Sequence, residues 1–414
     1  MKIKWKRRLL AFGAIGFLSL CCCLVLPFNA LAASSPHIFQ ALSGQEEATR
    51  SGEDIGGAGE MAEKGLEEFD FSQVQQMLEQ SDLKTSLSFT ELIKELMAGN
   101  LADFLKGVGQ SIKNWLFAEL TNNFRAVGQV IMICAVGAIF ANFSSIFAGS
   151  QISETGFYIT YLLLVGILAA AFAMAGRIAG GVMDSIVSFM NALVPSYFLA
   201  VAYAGGSISS VASYQFTLFI VYLVERVLAG LLVPMVNMYV LLVFVNNISK
   251  EDALSKLAEL LKTAVEWSLK TLLGLVTGFH IIQSLILPQV DAIKSNALQK
   301  VISVIPGVGQ GASALANLVL GSGVLIKNGI GGAALVVLVL LCAVPILKLA
   351  ALSLMYQGAS AVVQPVSDKR VVECVACIAD GCKLLLKIVF TSALLFLITI
   401  AVVCLSTNVS YYAG

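Results

Sequence analysis

"SVIPGVGQGASALANLVLGSGVLIKN", residues 303–328, decides how this chain is read. Gly307, Gly309 and Ala312 satisfy the G-x-G-x-x-G/A spacing of a dinucleotide-binding turn. Such a turn needs a strand before it, a helix after it and an acidic residue about 20 positions on to hold a ribose. The flanks here are apolar and helical in pattern, and Lys327 and Asn328 stand where the acid belongs. The motif fails its context. Small residues serve a different demand, the close approach of helices in lipid, where packing of Gly, Ala and Ser is a main attraction. Pro306, Gly307, Gly309 and Gly311 therefore mark an interrupted membrane segment, a kink or a site of passage, and not a nucleotide pocket.

Composition points the same way. Of 414 residues, 58% are hydrophobic and 13% charged, with mean hydropathy +0.86, against about 25% charged in an ordinary soluble domain. Formal net charge is zero, so charge gives no reason to expect a nucleic-acid partner. The charges are segregated. Lys2, Lys4, Lys6, Arg7 and Arg8 precede an apolar run and the pair Ala30 and Ala32, the order of a signal peptide over 1–32. Cys21, Cys22 and Cys23 lie inside that run and read as apolar filler.

Residues 33–125 carry 15 acidic against 7 basic side chains and no apolar run of membrane length, which places them outside the cytosol. Residues 33–68 read as a flexible acidic linker, too poor in large apolar side chains to offset the entropy of ordering. Residues 69–126 read as short amphipathic helices, with Ser88 and Glu91 in a capping-box spacing.

Apolar stretches of crossing length follow at 127–147, 157–175, 227–245, 271–287, 331–354 and 384–405, each near the 20 residues a span needs. Residues 182–224 and 301–325 are ambiguous: each is two short spans or a re-entrant hairpin. A recurring order links them. Pro195 precedes Pro234 by 39 residues, and Pro306 precedes Pro345 by 39. Each pair is followed by a charged amphipathic segment, 250–270 and 369–387, that leads into another apolar run. The fold class is thus all-α: a polytopic helical membrane protein with interrupted or re-entrant helices in two repeat-like halves. Two membrane helices occupy 127–181, repeat 1 occupies 182–290 and repeat 2 occupies 291–414. Interrupted segments at matching places in two repeats are how many transport proteins frame a pathway. The basic content of both charged segments assigns them to the cytoplasmic side.

Ionisable residues in apolar surroundings need partners or an exit to water. Asp184, Glu225, Arg226 and Lys327 are the candidates for a water-lined path, together with the packing positions Pro195 and Pro345. Glu225 and Arg226 are adjacent and so do not face one another on a helix. Long stems let Arg226 and Lys327 snorkel to an interface, which is the expectation for both. No nucleophile, base and metal set is evident. His37 and His280 are isolated; Cys374, Cys377 and Cys382 provide three thiols without a histidine beside them; Cys134, Cys342 and Cys404 read as packing. No catalytic residue, cofactor or metal is expected.

The stretch 303–328 continued by "GIGGAALVVLVLLCAVPILKLAAL", together with "IVSFMNALVPSYFLAVAYAGGSISS", "QPVSDKR" and "SLSFTELIKELMAGN", resembles the stage III sporulation protein AE family from about residue 69 onward. The resemblance implies a non-enzymatic, multi-pass subunit of the mother-cell-derived outer forespore membrane. It would act as scaffold or gate in a secretion-like channel complex joining mother cell and forespore. Implied partners are the bilayer, an ATPase-like subunit, ring-forming subunits and a forespore-side membrane protein. A secondary permease for a small molecule, with its site between the two repeats, is the alternative.

Overall fold

The computed structural model describes residues 61–80, 88–98, 128–136, 139, 150–204, 209–248, 252–302 and 309–406, with backbone alone at 80 and 98 and over 150–154, 209–214, 283–302, 309–320 and 405–406. The signal peptide, the linker through residue 60, Pro306 and Gly307 lie outside the described residues. Every regular element among those described is helical.

A helical turn over 61–66 opens the fold, within the reach expected to be linker. Ala62 and Leu66 are buried there, so those residues belong to the core after all. Helix α1 (Ser72–Gln80) starts where Asp70 Oδ1 accepts the Ser72 amide at 2.9 Å. That bond satisfies one of the free N–H groups of a helix start and holds the Asp70 carboxyl below its ordinary value. Helix α2 (Phe89–Ala98) begins on the expected cap, Glu91 N–H donating to Ser88 Oγ at 3.4 Å. Residues 128–136 are also helical.

Five long rods make up the rest. Helix α3 (Ser150–Tyr203) has 54 residues and runs straight through Pro195, so the interruption expected there is absent. A proline inside a helix costs about 3 kcal/mol and forfeits the bond to the carbonyl four residues back. Packing along a rod this long outweighs that loss. The break comes instead just past Tyr203, at Ala204, beside Gly205 and Gly206. Helix α4 (Ser209–Val227) returns and continues through a π turn (Leu228–Leu232) into α5 (Val233–Asn246), which carries Pro234 in its first turn. The π turn lies where Pro234 removes a donor and crowds the preceding carbonyls, a recurrent cause of such bulges.

Asn246 Oδ1 accepts the Leu254 amide at 2.8 Å and closes the turn into α6 (Ser255–Ile302). Helix α7 (Gly309–Val363) has 55 residues and also passes through its proline, Pro345. Gly309 and Gly311 begin a rod that carries the 331–354 run without interruption, and the part of the expected dip at 303–308 lies outside the described residues. Alanine supports helix better than any other residue, and Ala312, Ala314 and Ala316 follow those glycines. Asp368 then caps the Arg370 amide at 2.9 Å and starts α8 (Lys369–Ser406).

α7 and α8 form an antiparallel hairpin at the centre, with α3 and α6 packed against it. Gly381 lets α3 and α5 close on α8, since a Cβ there would sit 2.7 Å from both Phe172 and Val240. One buried core runs from Ala62 to Cys404. Four helices among the described residues are long and apolar enough to cross a membrane: Thr155–Tyr203, Gln215–Asn246, Gly321–Val363 and Lys369–Cys404. The run expected at 127–147 lies partly outside the described residues, and that at 271–287 lies within α6, its last five residues described by backbone alone.

Candidate functional site

Contacts between helices fix which residues share a height. At one end, Tyr161 Oη donates to the Phe244 carbonyl at 2.7 Å and the Arg370 guanidinium stacks 3.7 Å over the Phe157 ring. Near mid-height, Ser353 Oγ donates to the Ala379 carbonyl at 3.0 Å. Lys262 pairs with Asp380 at 2.9 Å, and Lys387 pairs with Glu266 at 2.6 Å. Lys387 holds the Glu266 carboxyl below its ordinary value by hydrogen bond and charge.

At the other end the early residues form a collar. Ser196 Oγ donates to the Asp70 carbonyl at 3.2 Å, Phe69 meets Tyr203 edge-on at 6.4 Å, and Gly329 lies against Ile93 and Met97. Lys94 pairs with Glu63 at 2.9 Å, tying α2 to the opening turn. Collar and rods are thus one packed body.

Inside the collar end lies a buried polar track. His280 Nε2 and Thr399 Oγ1 are 2.9 Å apart, and Thr399 Oγ1 donates to the Leu395 carbonyl at 2.8 Å, so the imidazole donates from Nε2. His280 is fully buried and Thr399 nearly so. Beside Thr399, a cavity of about 20 Å³ is walled by Tyr197, Thr217, Val403 and neighbouring apolar side chains. It has room for one water. Thr217 Oγ1 in that wall is buried without a hydrogen-bond partner. Further out, Tyr197 hydrogen-bonds the Cys404 thiol, and Lys327 stands next to that thiol. Gly331 provides the room, because a Cβ there would collide with Cys404 Sγ and reach Tyr197.

Lys327 corrects its expectation. It is 0% exposed, buried within α7 and not snorkelling. Of the other named candidates, Asp184, Pro195 and Arg226 are exposed, Glu225 and Pro345 are half-buried, and Gly309 and Gly311 lie in α7. The structure does not bring them together. Tyr197, Thr217, His280 and Thr399 carry the track with Lys327, and only His280 and Lys327 had stood out as polar groups in apolar runs. Threonine and tyrosine are ordinary in such runs, so their convergence has no linear signal. Among the described residues no three His, Cys, Asp or Glu side chains converge as metal ligands. The three thiols Cys374, Cys377 and Cys382 are buried in α8. An imidazole, hydroxyls, a thiol and an amine in series can pass protons or hold single waters.

The chain matches the family model described as stage III sporulation protein AE over residues 87–407. It is similar to the stage III sporulation protein AE of Bacillus subtilis (strain 168), at 21% identity over 328 residues, covering 77% of this chain and 82% of that protein. No solved structure matches. An all-helical chain with four helices of crossing length, matched along most of its sequence, belongs to the stage III sporulation protein AE family and serves in sporulation.

Proposed function

We propose that the chain is a non-enzymatic scaffold or gate subunit of a secretion-like channel complex between mother cell and forespore, seated in the mother-cell-derived outer forespore membrane. The observation that supports this is the length over which apolar surface is left uncovered. From Thr155 to Tyr203 the apolar helix has 49 residues, about 73 Å at 1.5 Å each. Hydrocarbon covers about 30 Å. Ile159 and Leu163 near one end are 66% and 55% exposed, and Leu199 near the other is 60% exposed. One bilayer cannot cover both ends, so protein covers the remainder, as in a subunit of a larger assembly. The implied companions are the ATPase-like, ring-forming and forespore-side subunits of that complex.

The test is co-purification from sporulating cells. Leu162→Glu with Leu241→Glu places two charges on exposed apolar sites, 61% and 54% open. The expected result is membrane-inserted protein that no longer recovers its companion subunits, with spore yield down at least tenfold. Unchanged recovery and yield overturn the reading. Uptake of a metabolite by vesicles holding the chain alone, lost in Asp184→Asn or Glu225→Gln, would favour the permease.

A further inference from the structure

The two sets of apolar runs are stacked along the helix axes and not side by side. Phe172 of α3 and Val240 of α5 stand at the height of Gly381, whereas Tyr197 and Gly331 stand at the height of Cys404. The apolar stretches of α3 around 157–174 and of α5 therefore lie beside the charged starts of α6 and α8. The apolar stretches of α7 and α8 lie beside the second part of α3. From the height of Gly381 to that of Cys404 is about 35 Å of helix, a little more than the hydrocarbon of one bilayer.

Exposure of apolar surface alone would choose the first set, whose apolar stretch in α3 is only 22% buried against 56% in α7. Charge decides otherwise. At that height Lys256, Glu259, Lys369 and Glu373 are 92%, 68%, 87% and 45% exposed. Each would cost about 3 kcal/mol in acyl chains even on the mildest scale. Nearer the collar the exposed side chains of the rods include Leu199, Phe219, Tyr222 and Val339, and Lys327 of α7 is buried. The boundary between the halves carries exposed cations on four helices, Arg177, Arg226, Lys270 and Lys387, with Asp184 and Glu225 among them. From Arg177 to Tyr203 is about 39 Å of helix, enough for the hydrocarbon and part of one headgroup layer.

We propose that acyl chains cover the collar half alone, that phospholipid phosphates seat on the girdle of Arg177, Arg226, Lys270 and Lys387, and that the more apolar stretch of α3 is not a crossing. Lysine and arginine at this level reach headgroups with their stems along the helix, the usual behaviour at an interface. Trp267, 69% exposed and next to Glu266 of the girdle ion pair, belongs at the same level.

Fluorescence quenching by brominated phosphatidylcholine tests this on the full chain alone in vesicles. Its outcome is therefore separate from that of co-purification. In a background with Trp5, Trp115 and Trp267 changed to Phe, Phe219→Trp and Phe390→Trp are expected to be quenched at least threefold more than Leu163→Trp and Leu241→Trp. The reverse order, or equal quenching in both pairs, overturns the proposal. A second measurement keeps the native side chain. With Trp5 and Trp115 alone replaced, Trp267 should be quenched more by bromines near the headgroup than by bromines near the bilayer centre. Stronger quenching by the deep bromines overturns it as well.

Discussion

The collar half and the far half of the same rods solve one packing problem with different chemistry. In the collar half, helices meet through small residues and a thread of hydroxyl, imidazole, thiol and amine groups, and the exposed side chains of the rods include Leu199, Phe219, Tyr222 and Val339. In the far half, α6 and α8 lock through Lys262–Asp380 and Glu266–Lys387, while α3 and α5 show apolar faces on the other side. A helix in lipid must bury its polar groups inside the bundle; a helix in water can pair them at its surface. The distribution of exposed charge therefore reports the solvent more faithfully than the exposure of apolar surface does.

The strongest way to break the comparison is at its joint. Gly381→Val forces side-chain atoms into Phe172 and Val240, and we expect a loss of 3 kcal/mol or more, on the order of the larger overpacking penalties, seen as loss of the folded peak in detergent. Gly381→Ala should lose about 1–3 kcal/mol, measured as a lower thermal midpoint.

Lys327→Met sharpens the collar half. Replacing a buried charge by an apolar chain of similar volume is neutral or stabilising by roughly 1–4 kcal/mol, so the midpoint should hold or rise. Loss of sporulation with a held midpoint would assign Lys327 a role beyond packing. Normal sporulation would leave it structural.

Tyr161→Phe probes the far half by removing one buried bond to the Phe244 carbonyl. The expected cost is about 1 kcal/mol, read as a lower midpoint with membrane insertion unchanged.

The smallest effect concerns pH. Glu266 has a lowered carboxyl value in the folded state, so its pairing with Lys387 adds stability above the ordinary carboxylate range. That stability is lost as pH falls through the lowered value. The pair is half exposed, which limits it to less than about 1 kcal/mol. Glu266→Gln should lower the midpoint slightly at pH 7 and leave it unchanged at pH 3. An equal drop at both values would show that shape and not charge matters there.

Part of this was legible in the chain. The Ser88 cap and the all-helical character each rest on a local rule, and local rules are written in neighbouring residues. The site was legible only through Lys327 and His280, polar side chains inside apolar runs. Tyr197, Thr217 and Thr399 come from helices far apart in sequence, and nothing in any one segment marks them. Within 182–224 the helix boundary falls just past Tyr203 and not at Pro195, because the packing of a long rod outweighs the cost of one proline.

Sequence by itself determined that the chain is helical, that it enters a membrane and which segments carry charge, since these follow from composition and period within each segment. Only the tertiary structure decided that the apolar runs are stacked end to end, that Lys327 is buried and that the collar packs onto α3 and α7. Those facts depend on the heights at which distant helices meet, and a height is set by side chains of two segments at once.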